Sequence, residues 1–317
     1  MLDAASQNVP QQRSKRRWRV SRQAIGSAQL AFWMNLPTVV IVALVIGYPI
    51  GYAFWLALHE VTIRGLRTGE IPYKGFENFE ALWRDELFLE TLQRTLLMAG
   101  ASVISMLVIG LFMAIAMNQK QVFISRFTRI FVLLPWAIPP IANGLMWSFI
   151  FNSRYGHLNA VLFSLGLTDN FIRFFSDATT AQAVVVWAYV WRVVPFSALL
   201  FYAALQGIPR DIYEAAEVDG ANDLHKFLFI TLPLLRPVIA VILVLRTAFA
   251  IMIFEEVFAL TNGGPGNSTW TAAWYSYWQS FRLFDLDYGA ASAFVLAVII
   301  AILAIFYVRF IYRSVEY

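Results

Sequence analysis

Cysteine is absent from all 317 residues, so no disulfide framework, thiolate metal site or cysteine nucleophile is available. Charge is scarce as well. Asp, Glu, Lys and Arg make up 14% of the chain, where a soluble domain carries roughly 25%. The three histidines, His59, His157 and His225, fall in separate polar stretches and read as solvated side chains rather than a metal set. No Gly-x-x-x-x-Gly-Lys-Ser/Thr stretch exists, so the chain does not cradle nucleotide phosphates in that way. Asp285 and Asp287 lie close together but have no nucleophile or cleft motif beside them, which argues against a catalytic dyad.

What is present is hydrocarbon. Hydrophobic residues make up 59% of the chain and the mean hydropathy is +0.62, with the apolar residues in long blocks. That composition defines an all-α, polytopic membrane protein.

Residues 1–29 are polar, and Arg13, Lys15, Arg16, Arg17, Arg19 and Arg22 form a dense basic cluster. Such a cluster suits a nucleic-acid or lipid-binding arm, or a topology anchor that keeps the N-terminus cytoplasmic. The anchor is taken, and no nucleic-acid partner is expected. The apolar run 30–58 is too long for a cleaved signal peptide and reads as the first span, with Pro37 and Pro49 as tolerated kinks. Further spans are expected at about 92–117, 130–151, 181–205, 236–260 and 288–307. The third contains Pro135, Pro139, Pro140 and Asn143 and should be broken. Stretches 59–91 and 152–179 read as outer loops, the second with room for a short helix. Lys120, Arg126 and Arg129, then Arg309 and Arg313, mark inner segments. Six spans put both termini in the cytoplasm. Trp270, Trp274, Tyr275, Tyr277 and Trp278 are expected as an interfacial aromatic belt on the outer side.

One polar island separates the fourth and fifth spans. Pro209 to Asp219 can form a short helix, with proline in its first turn and Gly220 as its stop. Asn222 can cap a second helix, which Pro233 is expected to close. Within the island, Glu214-Ala215-Ala216 is followed after three residues by Gly220, then by Ile230, Leu232 and Pro233. The bland reading is an ordinary cytoplasmic hairpin.

This spacing resembles the EAA loop of permease subunits in binding-protein-dependent ABC importers. Gly75-Phe76-Glu77-Asn78-Phe79, Trp191, Pro195-Phe196, Leu205 to Pro209 and Thr261-Asn262-Gly263-Gly264-Pro265 narrow the resemblance to MalF-type permeases of carbohydrate importers, in their shorter six-span form. It covers about 30–317, leaving 1–29 as a basic cytoplasmic segment. The resemblance implies a type I importer permease fold in a bacterial inner membrane, with cytoplasmic coupling helices. It also implies a second, homologous permease subunit, an ATPase dimer that binds ATP and Mg, and an external solute-binding protein delivering a di- or oligosaccharide. The chain itself would carry no cofactor and no catalytic site. Glu214, Ala215, Ala216, Asp219, Gly220, Ile230, Leu232 and Pro233 would form the ATPase contact. Small Ala215 and Ala216 would let a partner backbone approach, and Glu214 would offer charge to a cationic partner.

Two arginines lie within the expected spans, Arg192 and Arg246, where facing lipid would cost each about 2.5–3.5 kcal/mol or more. Tyr189, Arg192 and Phe196 share one helical stripe; Arg246, Ala250 and Ile253 share another. By the resemblance these positions, with Val193, line the solute pathway. The alternative is structural pairing with Glu255, Glu256 or a partner subunit. An acidic solute, such as a uronic-acid oligosaccharide or glycerol phosphate, would gain from two arginines. An ion-coupled secondary transporter is the competing class, with Glu255 and Glu256 as its only candidate coupling carboxylates within the spans.

Overall fold

A computed structural model describes residues 22–118 and 130–310. Arg13, Lys15, Arg16, Arg17, Arg19, Lys120, Arg126, Arg129 and Arg313, to which the sequence assigns topological roles, lie outside the described residues. The chain divides into two units, one up to Tyr52 and one from Ala53 onward.

α1 (Arg22–Val42) continues through a π-helical turn (Ala43–Gly47) into α2 (Tyr48–Ala57), which runs from the first unit into the second. From Gln29 to Tyr52 the side chains are almost all exposed, which suits surroundings as apolar as they are. The second unit is built on α3 (Glu86–Met117), capped by the Asp85 carboxylate accepting from the Phe88 backbone N–H at 3.0 Å. Packed along it is α5 (Ala178–Gln206), capped in the same way by Asp177. The two helices approach closely where Gly110 faces Ser197; a Cβ at 110 would lie 3.0 Å from that of Ser197. Short outer helices, Ile63–Thr68 and Glu77–Leu82, precede α3, and the expected short helix of the second outer loop is His157–Ser164.

The third span is broken, as its prolines require. Ile130–Ala137 and α4 (Pro140–Ile150) meet at 105°. One face of the broken piece packs against protein: Asn143 donates to the Ala188 carbonyl at 3.0 Å, and Gly144 faces Ala259 so tightly that a Cβ there would sit 2.5 Å from the alanine methyl.

The fifth span departs from the straight helix expected over 236–260. It runs as α7 (Arg236–Ile251), breaks at residues 252–254 and resumes as α8 (Glu255–Leu260). The break is possible because the freed Ile253 carbonyl accepts from Thr271 Oγ1 at 2.7 Å. After the turn come α9 (Ala272–Tyr277) and α10 (Leu286–Phe310), the sixth span. Among the described residues four helices are long and apolar enough to cross a membrane, and up to six crossings result if each bent pair counts as one.

The aromatic belt expected at 270–278 is a correction. Trp274 and Tyr275 are fully buried and Trp270 nearly so, because α9 packs between α3 and α10 instead of lying at the surface. The Tyr275 and Tyr288 hydroxyls both donate to Asp85, which fixes α9 and α10 to the start of α3.

Candidate functional site

The hairpin forms where the sequence puts it. α6 (Arg210–Val218) follows Pro209 as its N-cap, and Asp219 closes it. Gly220 adopts φ +82°, and the Ala221 N–H reaches back to the Ala216 carbonyl at 2.9 Å, a glycine-terminated helix end. Asn222 caps the second helix, its side chain accepting from the His225 N–H at 2.9 Å. The second helix ends at Leu234, one residue past Pro233, after a π-helical turn (Phe227–Thr231), and the chain bends by 60° at Leu235 before α7.

The hairpin is anchored at its base and bare at its tip. Tyr213 Oη and Thr231 Oγ1 are 2.9 Å apart, and Lys226 bridges Glu217 at 2.7 Å and Asp223 at 2.8 Å. The hydrogen bond from Lys226 holds the Asp223 carboxyl below the usual carboxylate range, and Asp223, then Glu217, push the Lys226 ammonium up. No residue of α6 is buried. Glu214, Ala215, Asp219 and Gly220 are exposed; Ala216, Ile230, Leu232 and Pro233 are half-buried. Val218 is 89% exposed, Phe229 72% and Leu224 63%, an apolar display on an otherwise charged element. Such a display calls for a covering surface.

The second site lies at the meeting of α5, α7 and α8. Arg192 donates through Nε at 3.1 Å and Nη2 at 2.9 Å to one oxygen of Glu256, whose side chain is buried. Arg192 therefore has the structural pairing that the sequence left open. Arg246 is different. It is 8% exposed, its guanidinium lies 4.0 Å over the Phe196 ring, and it has no carboxylate partner among the described residues. Tyr189 Oη, Arg246 Nε and Glu256 Oε2 are buried without hydrogen-bond partners among the described residues. Val193, Ala250 and Ile253 are packed into the core rather than facing an opening. Asp85, Thr95, Thr271 and Gly144 were not singled out from sequence. Asp85 carries a legible signal, an aspartate just ahead of a long apolar run.

Residues 106–316 match the family described as "Binding-protein-dependent transport system inner membrane component". The chain belongs to this family. This permease is 35% identical over 290 residues to the sulfoquinovosyl glycerol transport system permease protein of Agrobacterium fabrum, covering 90% of this chain and 92% of that one. It is 34% identical to the trehalose/maltose transport system permease protein of Thermococcus litoralis, covering 87% and 91%. With the sn-glycerol-3-phosphate permease of Escherichia coli O157:H7 it shares 32% identity over 94% and 99%. Its fold matches a crystal structure of a bacterial ABC transporter involved in the import of the acidic polysaccharide alginate, with TM-score 0.75 and 22% identity over 91% and 96% of the two chains. The chain is thus a multi-pass inner-membrane transport subunit, and the secondary-transporter alternative falls away.

Proposed function

We propose that this chain is one of two permease subunits in an ATP-driven importer of a carbohydrate, with solute handed over by an external binding protein. The observation that carries the reading is the bare two-helix hairpin within a chain of this family. Glu214, Ala215, Ala216, Asp219, Gly220, Ile230, Leu232 and Pro233 form its contact with a separate ATPase dimer, which binds ATP and Mg. This chain supplies the pathway and no nucleotide site. Both termini and the hairpin face the cytoplasm. The relatives named for trehalose/maltose and sulfoquinovosyl glycerol support a sugar or glycoside as cargo.

A second reading, an acidic carbohydrate or glycerol phosphate, is favoured by Arg246. That guanidinium is enclosed with no carboxylate partner among the described residues, and an anionic group on the cargo would satisfy it. Tyr189, Arg192, Val193, Phe196, Arg246, Ala250 and Ile253 line the pathway when the assembly opens. Reconstitution in liposomes tests both readings. The complete assembly is expected to import labelled trehalose or glycerol 3-phosphate only with ATP and the binding protein present. Uptake driven by an imposed ion gradient without ATP sinks the importer reading. Preference between the two probes decides the cargo class.

A further inference from the structure

We propose that the Arg192–Glu256 ion pair is the link through which α5 carries the outer half of the fifth span. The inference rests on the importer reading above and names the residue pair that transmits its motion.

The break at residues 252–254 uncouples α8 from α7, so a push along α7 does not reach α8 through a continuous helix. What holds α8 is its packing on α4 at Gly144 and Ala259, the Thr271 hydrogen bond to Ile253, apolar packing on α5, and Arg192 reaching from α5. Among the described residues the last is the one ion pair that ties α8 to the helix running into the hairpin. From Arg192 to Gln206 is about 21 Å of unbroken helix, followed through residues 207–209 by α6. A movement imposed on the hairpin has a direct route to Glu256 along α5 and through that ion pair.

The geometry of the pair is that of a joint more than of a static prop. Both Arg192 donors converge on Oε1, and Oε2 has no hydrogen-bond partner among the described residues. An arginine placed for rigidity would grip both oxygens in parallel. Burying an ion pair is also a poor way to stabilise a fold, since apolar residues of similar volume commonly do as well or better.

The test uses the full complex of both permeases and the ATPase pair in nanodiscs. The chain has no cysteine, so Asn267→Cys, in the exposed turn beyond α8, gives it a single thiol. The readout is the rate at which a membrane-impermeant maleimide labels that thiol with ADP and with a non-hydrolysable ATP analogue. The analogue is expected to change the rate by on the order of tenfold in the otherwise wild-type chain. Adding Arg192→Met with Glu256→Leu, which leaves no unpaired charge, should abolish the change while the ATPase still co-purifies. Arg192→Lys should retain part of it. A nucleotide response that survives the double substitution overturns the proposal, as does its absence in the parent or failure of the double variant to assemble. If the ATPase does not co-purify with the parent chain, the importer reading itself fails.

Discussion

The hairpin and the outer turn stand at opposite ends of the chain's architecture. The hairpin has its backbone caps and one lysine bridge, then presents Val218, Leu224 and Phe229 to solvent. The outer turn is closed by its own chain. Thr261 and Thr269 hydroxyls lie 2.7 Å apart, Arg94 donates to the Asn267 carbonyl at 2.6 Å, Gln182 to the Ser268 carbonyl at 2.7 Å, and the Ala272 N–H to Thr95 at 2.7 Å. One region is left open and the other is closed by internal contacts. Substitutions in the first should therefore strike activity, and those in the second should strike stability.

The sharpest way to break that contrast is Glu214→Lys or Gly220→Asp. Uptake in reconstituted liposomes is expected to fall about a hundredfold, the upper range of a coupling free energy, with thermal unfolding barely moved in Glu214→Lys and a loss of about 1 kcal/mol in Gly220→Asp from its φ of +82°. Normal uptake in either variant removes the coupling role. Next in size is Gly263→Ala. Its Cβ would sit 2.5 Å from Trp270 Nε1 at a φ of +89°, and a loss of about 2–4 kcal/mol is expected in chemical unfolding. An unfolding midpoint equal to wild type would show that the turn is not packed as described.

Gly144→Ala brings a methyl to 2.5 Å from the Ala259 methyl and should cost about 1–3 kcal/mol. Ala259→Gly in the same chain should restore most of it, and failure of that rescue would place the strain elsewhere. Asp85→Asn removes the charge and leaves one acceptor oxygen, which can serve the two tyrosines or the Phe88 N–H cap but not both, a loss of about 1–2 kcal/mol in the same assay. The smallest effect on the chain itself belongs to Val218→Ser, within about 0.5 kcal/mol. Its signature should instead be a weaker hold on the ATPase in a pull-down, and an unchanged pull-down would remove Val218 from that contact.

Much of this was legible without coordinates because local chemistry and hydropathy determine it. The spans follow from apolar length, the kinked third span from Pro139 and Pro140, and the hairpin from Gly220 and Asn222. What escaped depends on tertiary partners. The break at 252–254 carries no proline or glycine and exists because Thr271, eighteen residues on, satisfies Ile253. The tryptophans of 270–278 have the composition of an interfacial belt, and only the packing of α9 between α3 and α10 shows them to be core. Pro233 marks the end of the second helix to within one residue, but the π-helical turn ahead of it has no signal in the sequence. At the paired arginines the stripes were readable, but which of the two had a carboxylate within reach was not. That is set by the placement of α8 against α5, which follows from the break.

The bare tip of the hairpin also has a bearing on supply. On the proposed importer reading, a copy synthesised in excess of its motor leaves valine, leucine and phenylalanine uncovered, the sort of greasy surface that chaperones and proteases seize. The abundance of this subunit should then track that of the ATPase even with its own synthesis held constant, so that the ratio of pore to engine is corrected by turnover of the unmatched half.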